Sequence, residues 1–201
     1  MNSTKRNTLI VTVSLITFCI ICCVVSVQLF LNGCIWWECA SPRSFDVLDL
    51  ELPSNLFPNK ADYNSIYLVD DDNPETLRSS GQTIYWDNGN GLAIYIVDMY
   101  ATSKNSLRDF ERTKKSFFSD RNTKILWDKP KELSYTGPLV DNFFMGCGVL
   151  IRNDYRCGVV AQYQEFVLFF NTTISEKMSY DDFQKIVIYM DEQISNYLYK
   201  R

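Results

Sequence analysis

Apolar positions in this chain fall into three patterns. The first is a run unbroken by charge from Leu9 to Leu31, "LIVTVSLITFCIICCVVSVQLFL". At about 1.5 Å per residue it reaches across the roughly 30 Å hydrocarbon core as a helix. The second is strict alternation. In "DVLDLELP", Leu48, Leu50 and Leu52 alternate with Asp49 and Glu51, which predicts a half-buried strand ended by Pro53. A short strand is expected at 65–69 inside an otherwise loop-rich stretch reaching to residue 81. Two β-rich runs then flank Asp87-Asn88-Gly89-Asn90-Gly91, a hairpin turn whose residues tolerate positive φ. The third pattern is helical spacing. It places Leu107, Phe110, Phe117 and Phe118 on one face of "SLRDFERTKKSFFS", with Ser106 and Asp109 as a capping pair and Arg108, Arg112, Lys114 and Lys115 turned to solvent.

After a loop holding Trp127, Pro130 and Pro138, "NFFMGCGVLIRNDYRCGVVAQYQEFVLFFN" reads as two strands joined near 152–154. Phe166, Leu168 and Phe170 on one face and Val167 and Phe169 on the other put the second strand mid-sheet, covered on both sides. The chain closes on a helix. Phe183, Ile186, Val187, Met190, Ile194, Tyr197 and Leu198 keep its period, and Ser179 and Asp182 form a capping pair. The order of elements predicts an α+β domain, mostly an antiparallel sheet with two main helices, preceded by one N-terminal transmembrane helix. The expected divisions are a cytoplasmic tail at 1–8, the anchor at 9–31, a tether at 32–44 and an extracytoplasmic domain at 45–201.

Charge sets the expected orientation. Lys5 and Arg6 precede the apolar run while Glu38, Asp46, Asp49 and Glu51 follow it, so the N-terminus stays inside and the domain faces outward. Beyond the run stand 18 basic residues against all 24 acidic ones, a net charge of −6, which disfavours nucleic acid as a partner. The chain contains no histidine, which excludes Ser-His-Asp and Cys-His catalysis and His-ligated metals. There is no phosphate loop or dinucleotide fingerprint, and no cofactor, metal or catalytic residue is assigned.

The cysteines carry most of the remaining chemistry. Leu31-Asn32-Gly33-Cys34 resembles a bacterial lipobox, so Cys34 is either lipidated after cleavage or paired with Cys39 beside an uncleaved signal-anchor. Lipidation leaves Cys39 odd and free; pairing leaves the outer cysteines as two bridges. Cys147 and Cys157 flank the expected turn, where a disulfide fits the geometry and compartment, with a redox pair as the alternative. Trp36 and Trp37 suit the membrane interface, and Cys19, Cys22 and Cys23 are small apolar residues of the helix or palmitoylation sites. Asp70, Asp71, Asp72 and Glu75 are the densest acidic group and the basis of an alternative reading as a carboxylate-based envelope hydrolase, against that of an exposed turn. Asp87 to Gly91 offers oxygens for calcium without the EF-hand spacing, and Asn171-Thr172-Thr173 is a glycosylation acceptor sequence.

From Asp46 onward the chain resembles uncharacterised membrane-anchored outer domains of bacteria. The resemblance lies in "LELPSNLFP", in the Cys147 to Cys157 segment followed by "GVVAQYQEFVLFF", and in "MSYDDFQKIVIYMDEQIS". The element order is also similar to the PsbP-like fold, an antiparallel sheet flanked by helices. Neither resemblance brings an activity with it. The leading expectation is a non-enzymatic binding or assembly module, anchored in the membrane and acting on a partner protein or envelope component.

Overall fold

The structure, a computed structural model, describes residues 3–32, 34, 39–70, 73, 75–119, 123–150 and 154–199. It divides into two units, Met1–Cys39 and Ala40–Arg201. The first is helix α1 (Ser3–Asn32). Its apolar stretch Ile10–Gln28 is long enough to cross a membrane, and none of it is buried by protein. An uncovered face of this kind suits lipid and is compatible with a single-pass membrane protein. Thr17 spends its hydroxyl on the Val13 carbonyl, 2.9 Å away, which removes a polar group that lipid could not satisfy.

The second unit is an α+β fold around one eight-stranded antiparallel sheet. Its strands are β1 (Asp62–Tyr63), β2 (Tyr67–Val69), β3 (Thr76–Trp86), β4 (Gly91–Tyr100), β5 (Thr123–Asp128), β6 (Asn142–Leu150), β7 (Tyr155–Tyr163) and β8 (Phe166–Thr173). They lie in the order β1-β3-β4-β8-β7-β6-β5, with β2 also paired to β3. Helix α2 (Ser103–Phe117) crosses one face, and α3 (Tyr180–Tyr199) packs on the other. The larger core lies on the α3 side, where Val47, Leu50 and Leu52 join Tyr95, Phe166, Leu168, Phe170, Phe183 and Ile186 in full burial. A smaller cluster of Tyr100, Phe110, Val160 and Val167 fills the α2 side. Central β8 is thus apolar on both faces because both faces are covered.

Several sequence expectations are corrected. The alternating 48–52 stretch is not a strand: Val47–Leu50 forms a 3₁₀ turn. Asp46 accepts from the Leu48 N–H at 3.2 Å, and Asp49 accepts from the Asp46 N–H at 2.7 Å. This reciprocal cap outweighs an alternation of only three leucines, and the turn buries Val47 and Leu50, three apart, on one side. Helix α2 starts earlier than expected, with Thr102 as its cap accepting from the Asn105 N–H at 3.1 Å. Ser106 and Asp109 lie within the helix on its buried face, while Leu107 is 41% exposed. β3 begins at Thr76, in a stretch expected to be loop, and the expected loop around Trp127 contains edge strand β5.

The largest correction concerns 155–170, expected as one strand. It is two, β7 and β8, folded at Gln164-Glu165. Gln164 takes φ +52°, the place where a two-residue hairpin turn normally has glycine. Tertiary contacts hold it there. The Gln164 N–H donates to Asp141 at 2.6 Å, and its carbonyl accepts from Gln162 Nε2 at 3.0 Å and from the Ser106 hydroxyl. Arg43 donates to Gln164 Oε1 and forks onto the buried Glu165 carboxylate. The hydrogen bond to Glu165 raises the Arg43 pKa and outweighs the partial burial of the guanidinium, which by itself would lower it. Ala40 also donates its N–H to Ala101 at 2.8 Å, so the chain docks on the domain from Ala40 onward.

The Asp87–Gly91 hairpin and the C-terminal helix take the form that their local sequences predict. Asp87, Asn88 and Gly89 all have positive φ between β3 and β4. Ser179 and Asp182 cap α3 reciprocally: the Ser179 hydroxyl lies 2.7 Å from Asp182, and the Asp182 N–H lies 3.2 Å from the Ser179 hydroxyl.

Candidate binding site

Two connections of the second unit form a cleft of about 460 Å³, within the range of small-ligand sites. One wall is 55–59, which follows Pro53 through a short 3₁₀ turn at Ser54–Leu56. The other comprises Lys177, Met178 and Asp182, where β8 leads into α3. Buried Phe57 and Met178 form the apolar base, with Phe57 packed against Phe170 at 6.5 Å between ring centroids. Reciprocal Ser175 and Met178 backbone bonds of 3.0 and 3.2 Å tighten the second wall. The Lys177 ammonium pairs with Asp87 of the β3–β4 turn. Asp87 therefore serves an exposed ion pair, and no group able to hold a metal ion occurs among the described residues.

The polar groups lining this cleft are the Asn55 and Asn59 amides, the Lys177 ammonium and the Asp182 carboxylate. Burial would raise the Asp182 pKa, but hydrogen bonds from Ser179 and Lys185 outweigh it and hold the group below its ordinary value. Asp182 therefore stays ionised at neutral pH. Amides offer both donors and acceptors, so the cleft can hold a polar ligand by hydrogen bonds over an apolar base.

Beneath α3 lies a second polar feature. The Asp191 carboxylate, 1% exposed, accepts from the Tyr163 hydroxyl at 2.8 Å and from the Tyr135 hydroxyl. Tyr135 also bonds α3 through its N–H to Gln184 Oε1 at 3.0 Å, which ties the loop after β5 to the helix. Burial, then the neighbouring Asp191 charge, pushes the Tyr163 pKa far above the usual phenol range. Burial does the same to Tyr95 and Tyr100. These phenols favour the fold in their protonated form, so that contribution is complete below the unfolded pKa of about 10 and falls as pH rises above it. Ultraviolet titration is expected to show these three tyrosines ionising only together with unfolding. Smooth titration of all tyrosines in the folded chain would contradict it.

Cys147 and Cys157 are directly opposed on β6 and β7 and form a disulfide, with Cys157 fully buried. Replacing both by alanine opens a short loop in the sheet centre and is expected to lower stability by about 3 kcal/mol. Denaturant unfolding with and without reductant measures this. Cys34 and Cys39 also form a disulfide, and a sulfur so joined is not available for acylation. Cys19, Cys22 and Cys23 are exposed on α1.

The acidic group is not assembled as a unit by the described residues: Glu75 pairs with Arg108 at 3.1 Å, and exposed Asp70 borders a separate cleft beside α2. Asp71, Asp72, Trp36, Trp37 and the 151–153 turn lie outside the described residues. Asn171 is 1% exposed in the middle of the sheet and accepts from Arg156 at 2.7 Å. In the folded domain its amide is therefore closed to glycosylation. The 55–59 cleft carries no motif; only the Pro53 and Pro58 punctuation marks a loop there.

These features define a class, an apolar helix of membrane-spanning length joined to an α+β domain with one antiparallel sheet. No family model matches the chain, and no curated protein matches it. Among solved structures, it is similar to the extracellular domain of PknH from Mycobacterium tuberculosis at 8% identity and TM-score 0.47, covering 71% of this chain and 94% of that one. It is also similar to an uncharacterized protein from Mycobacterium smegmatis at 8% identity and TM-score 0.33, covering 73% and 97%. Likenesses this distant carry no inference about activity, and neither protein is described as PsbP-like.

Proposed function

We propose that this chain is a single-pass membrane protein whose α+β domain works outside the cytoplasm as a non-enzymatic binding or assembly module for a partner protein or envelope component. The 55–59 cleft carries the proposal. Its polar groups are two amides and the oppositely charged Lys177 and Asp182, a set suited to holding a ligand by hydrogen bonds. Lys5 and Arg6 before α1, and the acidic residues after it, support an inside N-terminus. The divisions 1–8, 9–31, 32–44 and 45–201 belong to the same reading.

Photo-crosslinking in native membranes tests it. A photoreactive residue replacing Asn59 is expected to give one discrete adduct, whereas the same residue at the exposed Lys185 gives none. Equal labelling at both positions, or none at Asn59, would overturn the proposal. Intact mass decides the anchor. A full-length chain that gains four more alkyl groups after reduction than before has the uncleaved helix and two disulfides. A chain truncated at Cys34 and carrying acyl groups is a lipoprotein.

A further inference from the structure

The sheet has two ends, and the chain enters the domain at one of them. There the Gln164-Glu165 turn meets the close of β4, with the Tyr100 N–H donating to the Glu165 carbonyl at 2.9 Å. Ala40, bonded to Ala101, and Arg43, forked onto Glu165, pin the incoming chain at this end. The Asp87–Gly91 hairpin marks the opposite end, about 30 Å away along the ten residues of β4. Exposed apolar side chains collect at the entry end: Leu77, Leu107, Leu139, Tyr197 and Tyr199 are each 41 to 51% exposed. Leu77 follows Thr76, the cross-strand partner of Tyr100, and Leu107 follows Ser106, whose hydroxyl donates to the Gln164 carbonyl. Leu139 stands two residues before Asp141, which accepts from the Gln164 N–H. Tyr197 stacks on Phe45, itself against Phe166 at the start of β8, and Tyr199 lies beside Gln164 and Arg43. One exposed leucine needs no explanation, but five such side chains around a single turn form a patch.

The tether says what this patch meets. Seven residues separate Asn32, the last of α1, from Ala40, and fully extended they would allow a reach of about 29 Å. The Cys34–Cys39 disulfide removes much of that length, because its Cα atoms stand 5.2 Å apart. With three peptide steps of about 3.8 Å added, the path from Asn32 to Ala40 is at most about 17 Å. The bridge also encloses Trp36 and Trp37 in sequence, residues whose indoles favour the headgroup level. An anchor in the bilayer therefore keeps the entry end of the domain within reach of the headgroups. So short a tether holds the local concentration of lipid high, and a contact of a few side chains is then enough.

We infer that this end of the domain docks on the surface of the bilayer in which the chain is anchored. The leucines enter the boundary between headgroups and acyl chains, and the two tyrosines sit at the headgroup level, where an apolar ring and a wet hydroxyl are both accommodated. The contact is apolar. A net charge of −6 beyond the anchor gives no general attraction to anionic headgroups, so uncharged lipid is the partner. Docking in this way turns the 55–59 cleft away from the membrane, since Lys177 in its wall pairs with Asp87 at the opposite end of the sheet. The inference rests on the single-pass reading but not on that cleft.

The test uses the full chain in phosphatidylcholine nanodiscs, with a photoreactive residue replacing Leu139 or Leu107. The control replaces Tyr85, equally exposed at 41% but paired with Leu92 beside the far hairpin. Mass spectrometry after illumination reads adducts of one phospholipid. Such adducts are expected from positions 139 and 107 and not from 85. Leu107→Ser combined with Tyr199→Ser is expected to lower the yield at position 139 about threefold or more, because two half-exposed side chains no longer enter the interface. Equal yields at 85 and 139, no adduct at 139 or 107, or a yield at 139 untouched by the double substitution would overturn the inference; the last result would mean that the tether alone brings lipid near. A chain that elutes apart from the discs would overturn the anchor and this inference together. An incorporated chain without lipid adducts would remove this inference and leave the anchor standing.

Discussion

Asp191→Ala is expected to destabilise the outer domain by about 3 kcal/mol, because it strands the buried Tyr163 phenol and the partly buried Tyr135 phenol at about 1–3 kcal/mol each, the second at the low end. Tyr163 and Tyr135 both donate to this carboxylate, and Asp191 is 1% exposed, so water cannot readily take its place. The effect should spread beyond the site. Tyr135 ties the loop after β5 to α3, and losing its acceptor frees both. Urea unfolding of the full chain in detergent, followed by tryptophan fluorescence, measures the loss. Asp191→Leu combined with Tyr135→Phe and Tyr163→Phe removes every partner at once and should cost much less than Asp191→Ala alone. If the triple variant is the weaker protein, the polar network matters through something other than unsatisfied hydrogen bonds.

Gly91→Ala is the second large effect, about 3 kcal/mol or more, since overpacking a core costs about 1–3 kcal/mol and this contact allows little relief. Gly91 is the cross-strand partner of Trp86, and a Cβ there would sit inside the indole ring. Trp86 is 3% exposed within the main core, so the ring cannot move aside without opening it. Gly89 in the same hairpin separates this packing effect from backbone strain. Its φ is +88° but nothing lies within 4 Å of a Cβ, so Gly89→Ala should cost only about 1–2 kcal/mol. Thermal melts of the two variants, compared with the parent chain, check the order. Equal losses would show that the hairpin responds only to backbone conformation.

Both predictions concern contacts that lie far apart in the sequence or depend on exact register, which explains the uneven success of sequence reasoning. The Asp87 to Gly91 turn was legible because asparagine and glycine accept positive φ wherever they stand. The α3 start was legible because Ser179 and Asp182 satisfy each other's backbone within one turn. Gln164 was not, since nothing local favours φ +52° for a glutamine; Asp141, Ser106 and Arg43 hold it there from elsewhere in the chain. The 3₁₀ turn at Val47–Leu50 misled for the opposite reason, because a two-residue alternation was present but the Asp46 and Asp49 side chains closed a tighter local structure.

By itself, the sequence determined the apolar membrane-length helix, the α+β class, the β3–β4 hairpin and the capped C-terminal helix. Each depends on composition, period or capping within a few residues, so its physical cause travels with the local chain. Only the tertiary structure decided the strand order, the fold at Gln164, the burial of Asn171 and the two clefts. One cleft joins 55–59 to Lys177, Met178 and Asp182, and the other joins Val69 to Ser79, Ile96, Asp98 and Asp109. Such neighbours are set by sheet register and by the helices that cover each face, and a residue's own sequence surroundings hold no record of what will be packed against it.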